Sequence, residues 1–289
     1  MLDRADKLGA SDCAPALGLS KWKSPLALYL EKTGELPPDP IENDAIEWGV
    51  RLEPVVRQKY AEITGRTVRL PEHTIVHAEH PWMVCHPDGV TDDFRIYEGK
   101  TAAFMDGWGE AGSADVPQEY YLQVQHEMIV LSSIMERPIA VADLAVLFAG
   151  RTFRLYEIPA DLEIQQMILA GEAEFIERIK TKAPPAPDYN ARDTKRLLQR
   201  MYPGTNGEIM VADDACEAFL ATYDKSSELA KLFGTSAECA KAGLQFFMGE
   251  ASELKFTDGR VLRRKLVQKK AYSVEATSYI DARIVKGKE

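Results

Sequence analysis

The sequence predicts an α/β fold in which helices flank a mixed central β-sheet. Three observations carry that expectation. Apolar residues recur at helical intervals over 42–64, 116–135 and 160–182. Short β-rich runs fill the gap between the first two helices, and the strand-like stretch IAVADLAVLFAGRTFRLYEI fills the gap between the last two. Turn residues, above all Gly and Pro, separate the runs.

The N-terminal stretch RADKLGASDCAPALGLSKWKSPLALYLEKTGEL reads as a capped helix, a short connection and a second helix. Ser11 and Asp12 are suited to cap the run CAPALGL, and Pro25 suits the first turn of PLALYLEKTG, which Gly34 closes. PPDP marks a loop. Over 42–64, Ile46, Val50, Leu52, Val55, Val56, Tyr60 and Ile63 share helical spacing, and Gly65 stops the helix. Pro54 inside it predicts a kink or a break into two helices. After Gly65, TVRLPEHTIVHA, WMVCHPDGVTD and FRIYEGKTA read as three antiparallel or mixed strands. VPQEYYLQVQHEMIVLSSIM is an amphipathic helix, and ADLEIQQMILAGEAEFIERIKTK is another after the second pair of strands.

The clearest linker is APPAPDYN at 183–190, which divides the chain into 1–188 and 189–289. Beyond it, the stretch from Asp213 to Met248 is helix-rich with a break expected at FGTSAE. A strand pair follows, turning at Asp258-Gly259.

A chain of 289 residues with 45% hydrophobic content supports a packed core. No apolar run reaches the roughly 18 residues of a membrane helix, and the charged, interrupted N-terminus is unlike a signal peptide, so a cytosolic protein is expected. Cys13, Cys85, Cys216 and Cys239 lack CxxC spacing and read as buried thiols rather than a zinc site or disulfides. The net charge of -10 argues against indiscriminate polyanion binding but allows a nucleic-acid enzyme with a local basic groove.

Chemistry concentrates in HPDGVTDDFRIYEGKTA. If VCHPDGV ends one strand and FRIYEGK forms the next, Asp88 sits at a strand end while Glu98 and Lys100 share one face of its neighbour. Two carboxylates and an ammonium then meet. A hard cation such as Mg²⁺ takes oxygen ligands, and beside a lysine such a centre can polarise a phosphate and orient a water. A solvated charged strand carries the same letters, so these three residues alone leave both readings open.

Company makes the pattern more specific. The blocks GASDCAPALGLSKWKSPLALYLEKTG, WGVRLEPVVRQKYAEITG, HPDGV, EGKT and YYLQVQHEM occur in order within about residues 4–131. Together they resemble the YqaJ-like phage recombination nucleases, of the lambda exonuclease type in the PD-(D/E)XK superfamily. The resemblance implies a restriction-endonuclease-like core, placed over 1–188; the helix-rich extension ending in a β-hairpin over 189–289 is read from its own sequence and lies outside what lambda exonuclease covers. It implies that Asp88 and Glu98 are metal ligands, that Glu53 completes the acidic cluster, that Lys100 acts on the attacking water, and that Gln123 lies near the metal and the phosphate. Arg4 and Ser11 match the pair that binds a terminal 5′ phosphate, and His86 stands where a phosphate-binding serine can stand.

Simpler readings stay open beside these. Glu53 also suits a solvated helix next to Arg51 and Arg57, Ser11 an N-cap, and His86 a structural hydrogen bond. Gln123 and Gln125 lie on different helix faces, so at most one points into the site, and the match favours Gln123. One letter departs from the family: Gly99 stands where a bulky aliphatic or cysteine is usual. Relatives that hold an iron-sulfur cluster use four cysteines around the core; here Cys216 and Cys239 lie beyond the linker, so no cluster is expected.

The activity the resemblance implies is Mg²⁺-dependent degradation of linear double-stranded DNA from its ends, 5′ to 3′, with Mn²⁺ able to substitute. The 3′ single strands would pass to a single-strand annealing protein in a bacterial host cell, the gene being phage or prophage borne. A ring-shaped homotrimer is the assembly suggested. A site- or structure-selective endonuclease and a catalytically silent DNA-binding or assembly protein are the alternatives. Within LKFTDGRVLRRKLVQKKAY seven basic residues face one acid, making Arg263, Arg264 and Lys265 candidate duplex contacts, with a solvated hairpin as the other reading.

Overall fold

Proline and glycine placement sets the first elements. The computed structural model describes residues 6–37, 44–135, 137–189, 191–205, 207–248, 250–258 and 260–263. A 3-10 turn (Ala10–Asp12) leads into the one-turn helix α1 (Cys13–Ala16). The expected cap differs in detail: the Asp12 carboxylate accepts from the N–H of Gly9 at 3.1 Å, and no Ser11 or Asp12 side chain caps α1. Helix α2 (Pro25–Lys32) starts as its sequence predicts, with Ser24 Oγ accepting from Ala27 N–H, and Gly34 follows it at φ +75°.

Of the kink or break expected at Pro54, the break into two helices does not occur: helix α3 (Asp44–Thr64) runs on as one element. Pro54 and Val50 are both exposed, so the carbonyl that loses its donor meets water, while buried Val56 and Tyr60 anchor the following turns.

The three expected runs divide into five strands: β1 (Val68–Arg69), β2 (Ile75–Val76), β3 (Val84–Cys85), β4 (Gly89–Thr91) and β5 (Ile96–Ala102). Pro71 and Pro87 fall at the two divisions, where a residue without an N–H cannot continue a ladder. Helix α4 (Gln118–Ile134) connects β5 to β6 (Val141–Phe148), and β7 (Thr152–Pro159) follows. The main sheet has the order β1-β4-β5-β6-β7, with β5 and β6 parallel and the other pairs antiparallel; β2 and β3 form a separate ribbon.

Strand β6 explains the layering. Its side chains alternate, so Ala142, Leu144, Val146 and Phe148 join the core containing Leu122, Val124 and Met128 of α4, whereas Ala145 packs with Val56 and Tyr60 of α3. A strand covered on both faces reads as a nearly continuous apolar run. The register pairs Glu98 with Leu144 and Lys100 with Val146, which turns both charged residues toward α4.

Helix α5 (Leu162–Thr181) is capped by Asp161, whose carboxylate accepts from the N–H groups of Glu163 and Ile164. Its Phe175 and Ile176 share a second core with the α2 residues Leu26 to Leu30 and with Leu197 of α6 (Thr194–Met201). The sequence division at 188/189 follows the proline-rich linker. Contacts carry the first compact unit on to Pro203, because Asp193 accepts from both the N–H and the hydroxyl of Ser24 and because Leu197 is buried.

The second unit, Gly204–Glu289, contains α7 (Asp214–Met248) and an antiparallel pair, β8 (Glu253–Lys255) and β9 (Val261–Arg263). The break expected at FGTSAE is absent, since α7 is one helix of 35 residues; a single glycine inside a helix costs only about 1 kcal/mol. Cys13 and Cys85 are buried as expected, but Cys216 and Cys239 are exposed because α7 leaves most of its surface in solvent. Among the described residues, no helix is long and apolar enough to cross a membrane.

Candidate active site

The bend before β4 brings Asp88 to the start of that strand, beside β5. There Asp88 Oδ2 accepts from the N–H of Gly99 at 2.9 Å, and the N–H of Asp88 points to Glu98 Oε2 at 3.4 Å. Lys100, two residues along the same face, donates to Glu98 Oε1 at 2.6 Å. From α4, Gln123 Nε2 reaches the same oxygen at 2.5 Å. The structure therefore brings Asp88, Glu98, Lys100 and Gln123 together. Gln125 points elsewhere: it donates to Pro159 O and accepts from Asp161 N–H, tying α4 to the end of β7.

One residue of the cluster was not among the sequence candidates. Glu127 lies one turn after Gln123, and its Oε1 accepts from the same Gln123 amide at 3.2 Å. It is 1% exposed, and Oε2 has no hydrogen-bond partner among the described residues. The available signal was its i+4 spacing from Gln123, which places both on one helix face.

The electrostatics follow from crowding. Burial and then the Glu98 carboxylate push Asp88 up to about 7, despite the opposing hydrogen bond from Gly99 and the charge of Lys100. Burial, then Glu98, raises Glu127 well above the usual carboxylate range. For Lys100 burial works against the charge, but Glu98 and Asp88 outweigh it and hold the ammonium above its ordinary value. The resulting site is rich in carboxylates, short of positive charge and furnished with oxygen donors. That donor set fits a hard divalent cation.

Gly99 has a local explanation. On the α3 side of β5 a Cβ at this position would stand 2.8 Å from the hydroxyl of Tyr97, two residues back on the same face. Tyr97 is fully buried against Tyr60, with ring centroids 4.8 Å apart. The tyrosine thus fills the space that a bulky residue at 99 would take.

The remaining candidates are placed as follows. Glu53 on α3 pairs with Arg57 at 3.3 Å and adds its charge to those acting on Asp88. Ser11 and His86, both exposed, line a cleft of about 310 Å³ together with Asp12, Lys32, Gln123 and Glu127. Lys32 is paired there with Asp12 at 2.7 Å. Arg263, in the second unit, pairs across the hairpin with Glu253 at 2.8 Å. Arg4, Arg264 and Lys265 lie outside the described residues.

A second cluster, Cys13, His126 and Glu172, has donor atoms within 4.8 Å of one another and is fully buried. Both ring nitrogens of His126 are engaged, Nδ1 with Glu172 at 2.8 Å and Nε2 with the carbonyl of Val84 at 2.9 Å. These contacts hold α4, α5 and β3 together.

A mixed sheet with an aspartate at one strand start, Glu-x-Lys on the next strand and helices on both faces has the PD-(D/E)XK-like α/β architecture. Residues 1–134 match the family described as the YqaJ-like viral recombinase domain. The protein YqaJ of Bacillus subtilis (strain 168), described as uncharacterized, is 32% identical over 210 residues, covering 72% of this chain and 64% of that protein. The chain thus spans about 64% of the length of this curated relative. The crystal structure of LHK-Exo in complex with dAMP matches with a TM-score of 0.50 at 21% identity, over 62% of this chain and 90% of that one. A second structure of LHK-Exo, an alkaline exonuclease from Laribacter hongkongensis, gives a TM-score of 0.47 at 24% identity, over 62% and 94% of the two chains. What the first of these structures shares with the chain is the fold.

Proposed function

We propose that the chain is a divalent-cation-dependent deoxyribonuclease that degrades linear duplex DNA from its ends, 5′ to 3′, leaving 3′ single strands for an annealing protein. The observation that carries this reading is the meeting of Asp88, Glu98, Lys100 and Gln123 in one site short of positive charge. Asp88 and Glu98, with Glu53 behind them, would hold Mg²⁺, or Mn²⁺ in its place. The bound ion supplies Lewis acidity toward a phosphate oxygen.

The chain's own groups do the rest. Lys100, fixed by Glu98, is an ammonium with three donors and no acceptor, so it orients the attacking water and offsets charge on the phosphoryl oxygens. Gln123 restrains Glu98 through its amide, which keeps the carboxylate aimed while its other oxygen faces Asp88. Water adds to phosphorus and the P–O3′ bond breaks. Ser11 and His86 on the cleft wall, with Arg4, are the proposed receptors for a terminal 5′ phosphate. Arg263, Arg264 and Lys265 are proposed duplex contacts, for which Arg263 would exchange Glu253 for a phosphate. Assembly as a ring-shaped trimer in the bacterial cytoplasm completes the proposal.

The deciding experiment incubates linear and circular duplexes, labelled separately at 5′ and 3′ ends, with protein and Mg²⁺. Early release of the 5′ label from linear DNA alone supports the reading. Cutting of the circle establishes an endonuclease instead, and stable binding without products makes the chain a DNA-binding protein. In the same assay Lys100→Ala is expected to lower the rate about 100- to 1000-fold while duplex binding persists. A near wild-type rate for that variant removes Lys100 from the chemistry.

A further inference from the structure

We propose that Glu127 is a further carboxylate ligand of the divalent-cation site, its Oε2 contributing to the hold on the ion that Glu98 binds. This rests on the reading above that Asp88 and Glu98 hold such an ion. Three independent features lead to it.

The first is an unpaired oxygen. A buried carboxylate oxygen without a partner is costly, and folds retain one where an ion or a water completes it. Glu127 is 1% exposed and its Oε2 is in this condition. The second is position. Gln123 Nε2 joins Glu127 Oε1 to Glu98 Oε1, at 3.2 and 2.5 Å, so both carboxylates flank one small volume, and Glu127 also lines the cleft of about 310 Å³. The third is charge. Lys100 faces Asp88, Glu98 and Glu127, and three carboxylates against one ammonium leave the charge that one divalent ion would neutralise.

Glu172 provides an internal contrast. It too is buried with an oxygen lacking a partner among the described residues, but it lies against His126 and Cys13 and is not among the residues lining the cleft. Burial alone therefore does not single out Glu127; burial beside the cleft and Glu98 does.

The test is calorimetric titration of the metal-free chain of 289 residues with Mn²⁺, comparing wild type with Glu127→Gln, Asp88→Asn and Glu172→Gln. Glu127→Gln keeps the shape and the Gln123 contact while removing the charge, and is expected to weaken Mn²⁺ binding at least about ten-fold. Its melting temperature without metal should be close to that of wild type, because burial and Glu98 already disfavour the charge of Glu127 there. Glu172→Gln should bind Mn²⁺ as wild type does. Should Glu127→Gln fail to fold, Glu127→Asp keeps the charge but withdraws it by one methylene, and it too should bind more weakly. A folded Glu127 variant that binds Mn²⁺ as tightly as wild type, while Asp88→Asn does not, overturns the role of Glu127 alone. No Mn²⁺ binding by wild type, or undiminished binding by Asp88→Asn, overturns the cation site itself and this inference with it.

Discussion

Asp143 and Glu98 stand on neighbouring strands one register step apart, both buried, and their surroundings are opposite. Asp143 faces α3. There it accepts from Tyr60 Oη at 2.5 Å, Arg95 Nε at 2.9 Å, Arg95 Nη2 at 2.6 Å and Arg66 Nη1 at 3.4 Å. Two guanidinium groups and a phenol leave neither oxygen wanting. Glu98 faces α4, where it shares one ammonium and one amide with Asp88 and Glu127. The difference separates two uses of a buried charge. A carboxylate saturated with cationic donors ties elements of the fold together, whereas a crowd of carboxylates with too few donors awaits something the chain does not itself provide.

The comparison breaks most visibly at Asp143. Replacing it by Ala leaves Arg95 and Tyr60 facing a void, and removing one partner of a buried ion pair costs about 3–5 kcal/mol. Urea unfolding of Asp143→Ala should show that loss. The protein that remains folded should bind Mn²⁺ with wild-type affinity, since Asp143 lies on the α3 side of the sheet. A loss of stability below about 1 kcal/mol would show that the arginines find other partners.

Asp88 gives a smaller effect of opposite character. Its carboxyl is pushed up to about 7 by burial and by Glu98, from an ordinary value of 3.8. Below about pH 4 folded and unfolded chains both hold the proton; between about 4 and 7 only the folded chain does, so rising pH favours unfolding; above 7 both are ionised and the loss is complete. In EDTA, wild type should therefore lose stability relative to Asp88→Asn between pH 5 and pH 8. The loss is on the order of 2 kcal/mol once partial hydration of this half-buried group is allowed for. A difference between the two proteins that does not change with pH would show Asp88 ionised throughout.

How much of this was legible in the sequence depends on how far apart the partners lie. Glu98 and Lys100 share a strand face by alternation, and the helical periods of α4 and α5 set their boundaries to within two residues. Gln123 is reached only through the resemblance that the block YYLQVQHEM carries. Asp143 was not reached, because its donors come from positions 60, 66 and 95 and nothing local marks them. Glu127 was missed for a related reason: its interest lies in an oxygen left without a partner, a property of packing. The exposed length of α7 likewise contradicted the expectation of buried Cys216 and Cys239, since spacing cannot show whether a helix face is covered.

Gly99 is the intermediate case and gives the smallest predicted effect. Its departure from the family pattern is plain in the sequence, yet its reason lies two residues back, where Tyr97 occupies the same face of β5. The Tyr97 hydroxyl is itself buried without a hydrogen-bond partner among the described residues. Gly99→Ala would place a methyl 2.8 Å from that hydroxyl, and the ring cannot swing aside while it packs on Tyr60, so a loss of about 1 kcal/mol is expected. Tyr97→Phe removes an unpaired polar group and should be neutral or slightly stabilising. The double variant should recover most of the loss, because the nearest remaining ring atom is 3.4 Å from the new methyl. Equal losses for Gly99→Ala in the wild-type and Tyr97→Phe backgrounds, measured by urea unfolding, would show that the glycine serves the backbone beside Asp88 instead. Its N–H donates there to Asp88 Oδ2, so the position then belongs with the unsaturated side of the sheet and not with the packed one.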